Sequence, residues 1–92
     1  MTEERDARLR RLRLRSWRRG TREMDLILGP FADHRLDRLG EGDLVLYDAL
    51  LSENDQDLYG WVSGKQPPPE RYETMLRHIT DHVAARTGHA GS

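Results

Sequence analysis

Apolar residues recur at intervals of three and four along most of this chain, and that spacing limits the fold more than any other feature. Tyr72, Met75, Leu76, Ile79 and Val83 form the clearest series. Leu9 and Leu12, Leu14 and Trp17, Met24 and Leu28, and Ile27 and Phe31 repeat it in pairs. Side chains three or four apart share one face of an α-helix, whereas a half-buried strand alternates every second residue. Sustained alternation is missing, β-branched residues are few, and no Asn-Gly or Asp-Gly hairpin signal occurs. With 92 residues there is room for one small domain. The expectation is a single all-α domain over residues 1–92, a small five-helix bundle.

Glycine and proline punctuate the pattern. The first helix is expected from about Glu4 to Trp17, with Gly20 as the break. The second runs from about Thr21 to Leu39, with a kink or break at Gly29-Pro30, because proline removes a backbone donor and crowds the preceding turn. A third covers about Asp43 to Ser52, capped by Asp43, with Leu46, Tyr47, Leu50 and Leu51 as its apolar face. A fourth covers about Asp55 to Ser63, capped by Asn54 or Asp55 and closed by a left-handed Gly64. Its Leu58, Trp61 and Val62 are expected to face inward, with Trp61 largely buried against Leu76 or Ile79. Pro68 and Pro69 suit the start of the fifth helix, where a missing N–H costs nothing. The ordered part is expected at about 4–86, and the tail at 87–92 is expected to be disordered.

Charge is unevenly placed. The net charge is −1, yet residues 1–22 hold nine arginines against three acids and the remainder holds six basic against thirteen acidic residues. Glu3, Glu4 and Asp6 argue against an organelle-targeting peptide, since such peptides are poor in acids. The arginine run "RLRRLRLRSWRRG" reads as an amphipathic helix with leucines in the core and arginines in water, or as a phosphate-binding surface. Apolar runs stop well short of the ~20 residues that cross a bilayer, and the cytoplasm is the expected location. Cysteine is absent, which excludes disulfides and thiolate chemistry.

Chemistry-bearing motifs are scarce. His78 and His82 sit four apart, a spacing at which two imidazoles can share a metal. They lie at or beyond the edge of the apolar stripe and lack a third ligand, so they are expected to be solvated, and no metal site is assigned. "LGEGD" at 39–43 lacks the Lys-Ser/Thr of a phosphate loop. "ENDQD" at 53–57 lacks the distal glutamate of a calcium loop, and helix capping accounts for its acids. "RRGTREMD" at 18–25 remains. Gly20 permits positive φ or a close backbone approach. Glu23 in a first helical turn is favourable for the helix dipole, which alone would explain it.

Arg19-Gly20-x-x-Glu23, followed by Asp25, resembles the RGxxE signature of the succinate dehydrogenase FAD-assembly factors, the SdhE-type family. "RLRLRSWRRGTREMDLILGPFADHRL" is similar to the family's Arg/Leu first helix and Phe-bearing second helix. "LVLYDALLSENDQDLYGW" and "KQPPPERYETML" are similar to its later segments, so the likeness covers about Leu9 to Val83.

The resemblance implies a small five-helix domain that is an assembly factor and not an enzyme. It implies a partner, the flavoprotein subunit of succinate dehydrogenase and in bacteria the fumarate reductase subunit, with no nucleic acid and no membrane insertion. It implies that FAD belongs to the client and is not bound tightly here, and that the factor promotes its covalent attachment to a client histidine. Arg19, Gly20 and Glu23 are the implied client-binding residues, with no catalytic residue. They are expected on one exposed surface at the corner of the first two helices. Arg19 would offer its guanidinium to the client, and Gly20→Arg would block binding without unfolding the bundle. An alternative is a small nucleic-acid-binding or antitoxin-type regulator that uses the Arg-rich helix.

Overall fold

A computed structural model describes residues 3–91. The helices are α1 (Glu3–Trp17), α2 (Arg22–Arg35), α3 (Glu41–Leu51), α4 (Asp55–Ser63) and α5 (Glu73–Gly91), with 3-10 turns at Leu36–Arg38 and Glu70–Tyr72. No strand occurs among the described residues. No helix among them is long and apolar enough to cross a membrane.

One core joins all five helices. Leu9 and Leu12 of α1 meet Met24, Leu28, Phe31 and Ala32 of α2, Leu44, Tyr47, Leu50 and Leu51 of α3, Leu58 of α4, and Met75, Leu76 and Ile79 of α5. Ser16 is also buried. Its hydroxyl donates to the Leu12 carbonyl at 2.8 Å and lies 2.6 Å from the Tyr47 hydroxyl, which is thereby left to donate to it. Burial raises the Tyr47 pKa, so the phenol keeps the proton this bond needs.

Caps set the helix starts. The Thr21 hydroxyl accepts from the Met24 N–H at 3.3 Å, and Asn54 accepts from the Gln56 N–H at 2.7 Å. Gly64 closes α4 at φ 82°. Helix α3 begins earlier than expected: Gly40 is its N-cap, and Asp43 lies with Glu41 in its first turn, where both favour the dipole.

Three other expectations are corrected. Helix α2 is not broken at Pro30. It runs on to Arg35 because Gly29, Pro30, Phe31 and Ala32 are all buried and hold both halves against the core. Helix α5 runs to Gly91, and residue 92 of the tail expected to be disordered lies outside the described residues. Trp61 is only half-buried, its ring centroid 5.8 Å from that of the buried Tyr72. Leu14 and Trp17 do not enter the core: they are 49% and 39% exposed. Trp17 instead lies across Gly29 of α2, where a Cβ would come within 2.7 Å of the ring Cε3, and its Nε1 donates to Asp33 at 3.2 Å.

His82 is the remaining surprise. It is buried, not solvated, because Phe31 and His34 of α2 cover the α5 face next to Ile79. Its Nε2 stands 3.2 Å from His34 Nδ1, and its Nδ1 has no partner among the described residues. Burial first, then the nearby Arg35, His34 and Arg86, lower its pKa.

Candidate functional site at the first helix corner

The chain turns between α1 and α2 through Arg18–Thr21. Gly20 sits there at φ 137°, a backbone state that side-chain-bearing residues avoid. An added Cβ would also stand 3.1 Å from Asp55 Oδ2. The glycine therefore fits the corner for two independent reasons.

Arg19 points inward. Its Nε donates to Asp55 Oδ1 at 2.8 Å, one Nη donates to the Leu51 carbonyl, and the other donates to the Glu53 carbonyl at 2.9 Å. Its backbone N–H donates to Asp25 Oδ1 at 2.7 Å. Only 11% of the side chain is exposed. Leu51 ends α3 and Glu53 lies in the turn to α4, so the guanidinium fills carbonyls that a helix end leaves unpaired. The three directions use the planar fork, which a lysine ammonium lacks. The expected solvent-facing Arg19 is thus corrected: its donors are used to lock the α1–α2 corner onto the α3–α4 turn.

Glu23 is different. It is exposed in the first turn of α2 and makes no hydrogen bond or ion pair among the described residues. It borders an open groove of about 460 Å³ whose other walls include Thr21, Asp55, Gln56, Tyr59 and Lys65. Tyr59 is 40% exposed, with Lys65 Nζ 5.9 Å from its ring centroid. On the far side of the same turn, Glu53 Oε2 accepts from the Tyr72 hydroxyl at 2.8 Å, and Arg71 donates to that hydroxyl at 2.6 Å. Burial, then Glu53, raises the Tyr72 pKa.

The motif is thus divided between a lock, Arg19 and Gly20, and an unengaged carboxylate, Glu23, beside the groove. Sequence reasoning singled out these three from the family resemblance. It missed Asp25 and Asp55 as the anchors of Arg19, and Gln56, Tyr59 and Lys65 as walls of the groove. "ENDQD" already carried Asp55, but the capping expected of these acids hid its contact with Arg19. His78 and His82 do not join a metal cluster: no group of three His, Cys, Asp or Glu side chains that could hold an ion occurs among the described residues.

The basic helix is likewise partly consumed by the fold. Arg5 and Arg8 bond the two oxygens of Glu41 at 2.9 and 2.8 Å, and Arg15 pairs with Asp48.

Residues 10–83 match the family model described as "Flavinator of succinate dehydrogenase". The chain belongs to this family. It is 35% identical over 89 residues to the succinate dehydrogenase assembly factor 2, mitochondrial, of Schizosaccharomyces pombe, covering 95% of this chain and 64% of that protein. It is 41% identical over 62 residues to the FAD assembly factor SdhE of Legionella pneumophila strain Lens, covering 67% of this chain and 78% of that one. Against the FAD assembly factor SdhE of Acetobacter pasteurianus, identity is 35% over 83 residues, covering 89% and 76%. The chain spans 64%, 50% and 54% of the length of three mitochondrial relatives, from S. pombe and two Drosophila species. The flavinator match takes in the whole corner, from Arg10 past Lys65.

Proposed function

We propose that this protein is an assembly factor that binds the flavoprotein subunit of succinate dehydrogenase, and of fumarate reductase where present, and promotes covalent attachment of FAD to it. The observation that carries the proposal is the unengaged Glu23 on a corner that Arg19 holds rigid, in a chain of the flavinator family. A carboxylate kept without an internal partner on a fixed helix end is ready to accept hydrogen bonds from a client's N–H or guanidinium groups at low ordering cost. Tyr59 and Lys65 extend that contact into the groove, one through a ring and the other through a charge.

The chemistry belongs to the client. FAD would supply the electrophilic carbon, the flavin 8α-methyl, and the client would supply the histidine. The groove beside Glu23 and the groove beside Phe31 and His78, about 460 and 490 Å³, are both open to solvent, whereas a cofactor site encloses most of its ligand. The factor acts by binding the incompletely assembled flavoprotein more tightly in the geometry that reacts, which shifts its population toward that state. Holding the reacting groups in place can supply several kcal/mol of the barrier without any group of the factor entering the bond change.

The test is reconstitution. Client apo-flavoprotein and FAD are incubated with and without this protein, and covalent flavin is read by its fluorescence on a denaturing gel. Flavinylation that rises with added factor supports the proposal. Equal flavinylation with and without it, together with no detectable complex, rejects it.

A further inference from the structure

The outer face of α1 and α2 is a second interaction surface. Arg10, Leu14 and Trp17 follow one line of α1 at intervals of four and three, opposite the buried Leu9, Leu12 and Ser16. Arg22, Leu26, Gly29 and Asp33 follow one line of α2 at intervals of four, three and four. Trp17 joins the two lines by lying on Gly29 and donating to Asp33. Leu14, Trp17 and Leu26 are 49%, 39% and 50% exposed. Arg10, Arg18 and Arg22 rim them, all exposed and without a carboxylate partner among the described residues. Of the other six arginines among residues 1–22, Arg5, Arg8, Arg15 and Arg19 are held by Glu41, Asp48 and Asp55, whereas Arg11 and Arg13 make no ion pair among the described residues. Three of the unpaired cations thus stand around an apolar centre.

We infer that this face docks an acid-rimmed apolar patch on the client flavoprotein, adjoining the Glu23 contact. The inference rests on the proposed function above. Charge complementarity selects an acidic occupant, since the Asp33 carboxylate on this face already accepts from Trp17 and the open charges are cationic. Exposed apolar area rimmed by charge is the anatomy of a protein interface. Three observations favour a protein over the other acidic surfaces. Trp17 is held on both Gly29 and Asp33, so it is not free to insert between lipids. One face of its ring is covered, which limits base stacking. A second copy would have to offer its own acidic side, residues 23–92 holding thirteen acids against six basic residues, in a head-to-tail contact, which builds rings or filaments and not the commoner two-fold dimer.

The experiment measures association with purified client apo-flavoprotein at two salt concentrations. It uses wild type, the triple variant Arg10→Glu/Arg18→Glu/Arg22→Glu, Leu26→Asp and Glu23→Lys, each checked by thermal unfolding. Charge steering raises association rates by 10-fold or more at low salt and is screened by salt. The triple variant is expected to associate at least 10-fold more slowly at low salt, with most of the salt dependence gone and an unchanged melting curve. Leu26→Asp, with the arginines intact, is expected to speed dissociation. A triple variant and Leu26→Asp that both bind like wild type, while Glu23→Lys is defective, overturn this inference and leave the proposed function standing. Wild type that binds no client at any salt rejects the proposed function itself. Arginine-dependent binding to anionic vesicles, to a DNA duplex or to a second copy, with client association untouched by the reversal, also overturns the inference.

Discussion

Arg19 and Asp55, thirty-six residues apart, meet at 2.8 Å and tie the corner between α1 and α2 to the start of α4. Most of the Arg19 side chain is shielded from water, so its removal strands Asp55 and the Leu51 and Glu53 carbonyls. Arg19→Ala is expected to cost about 3 kcal/mol, and Arg19→Lys about 2 kcal/mol, because a point charge cannot reach three acceptors in a plane. Urea unfolding checks both. A Lys variant as stable as wild type would mean the fork is not what holds the corner.

Gly20 is held by geometry as well as by space. Gly20→Ala is expected to cost about 1–3 kcal/mol, since it forces a side chain into positive φ. Gly20→Arg adds bulk toward Asp55, so lost client binding in that variant would mix misfolding with interference. The expectation of a folded Gly20→Arg is therefore withdrawn. Melting temperatures of Gly20→Ala and wild type decide the matter; equal values would contradict the strain argument.

Tyr47 and Ser16 form a buried polar pair within the core. Tyr47→Phe removes the donor to Ser16 and is expected to cost about 1–2 kcal/mol. If the variant also carries Ser16→Ala, the second change should add little, because the two act through one bond. An additive double variant would show that the pair is not coupled.

His82 makes stability depend on pH. Its folded pKa lies below the unfolded value, so the unfolded chain binds the proton more readily. Stability is therefore full above the ordinary histidine value near 6.5 and falls as pH drops below it, until the folded form is protonated too. Unfolding at pH 7.5 and pH 5.5 should show lower stability at pH 5.5, and His82→Gln should reduce that difference. Unaltered pH dependence in the variant would mean that another group controls it.

Helix existence was legible because apolar periodicity and punctuation agree: Asn54 and Gly64 bracket α4 as expected. What stayed hidden depended on contacts between distant segments. Trp17 looks like a core residue by spacing, and only the bare backbone of Gly29 gives it a seat outside. His82 looks like a surface residue by composition, and only Phe31 and His34 bury it. Arg19 looks like an exposed contact, because its acceptors are two carbonyls and one carboxylate that no local pattern places beside it. Glu23, with no internal partner, stands where local reasoning put it.

Glu23 carries the central claim. Glu23→Ala removes a carboxylate that bonds nothing among the described residues, so its melting curve should match wild type within about 0.5 kcal/mol. Co-expressed with the client flavoprotein, this folded variant should leave several-fold less covalent FAD than wild type does. Normal flavinylation by a folded Glu23→Ala would contradict the account.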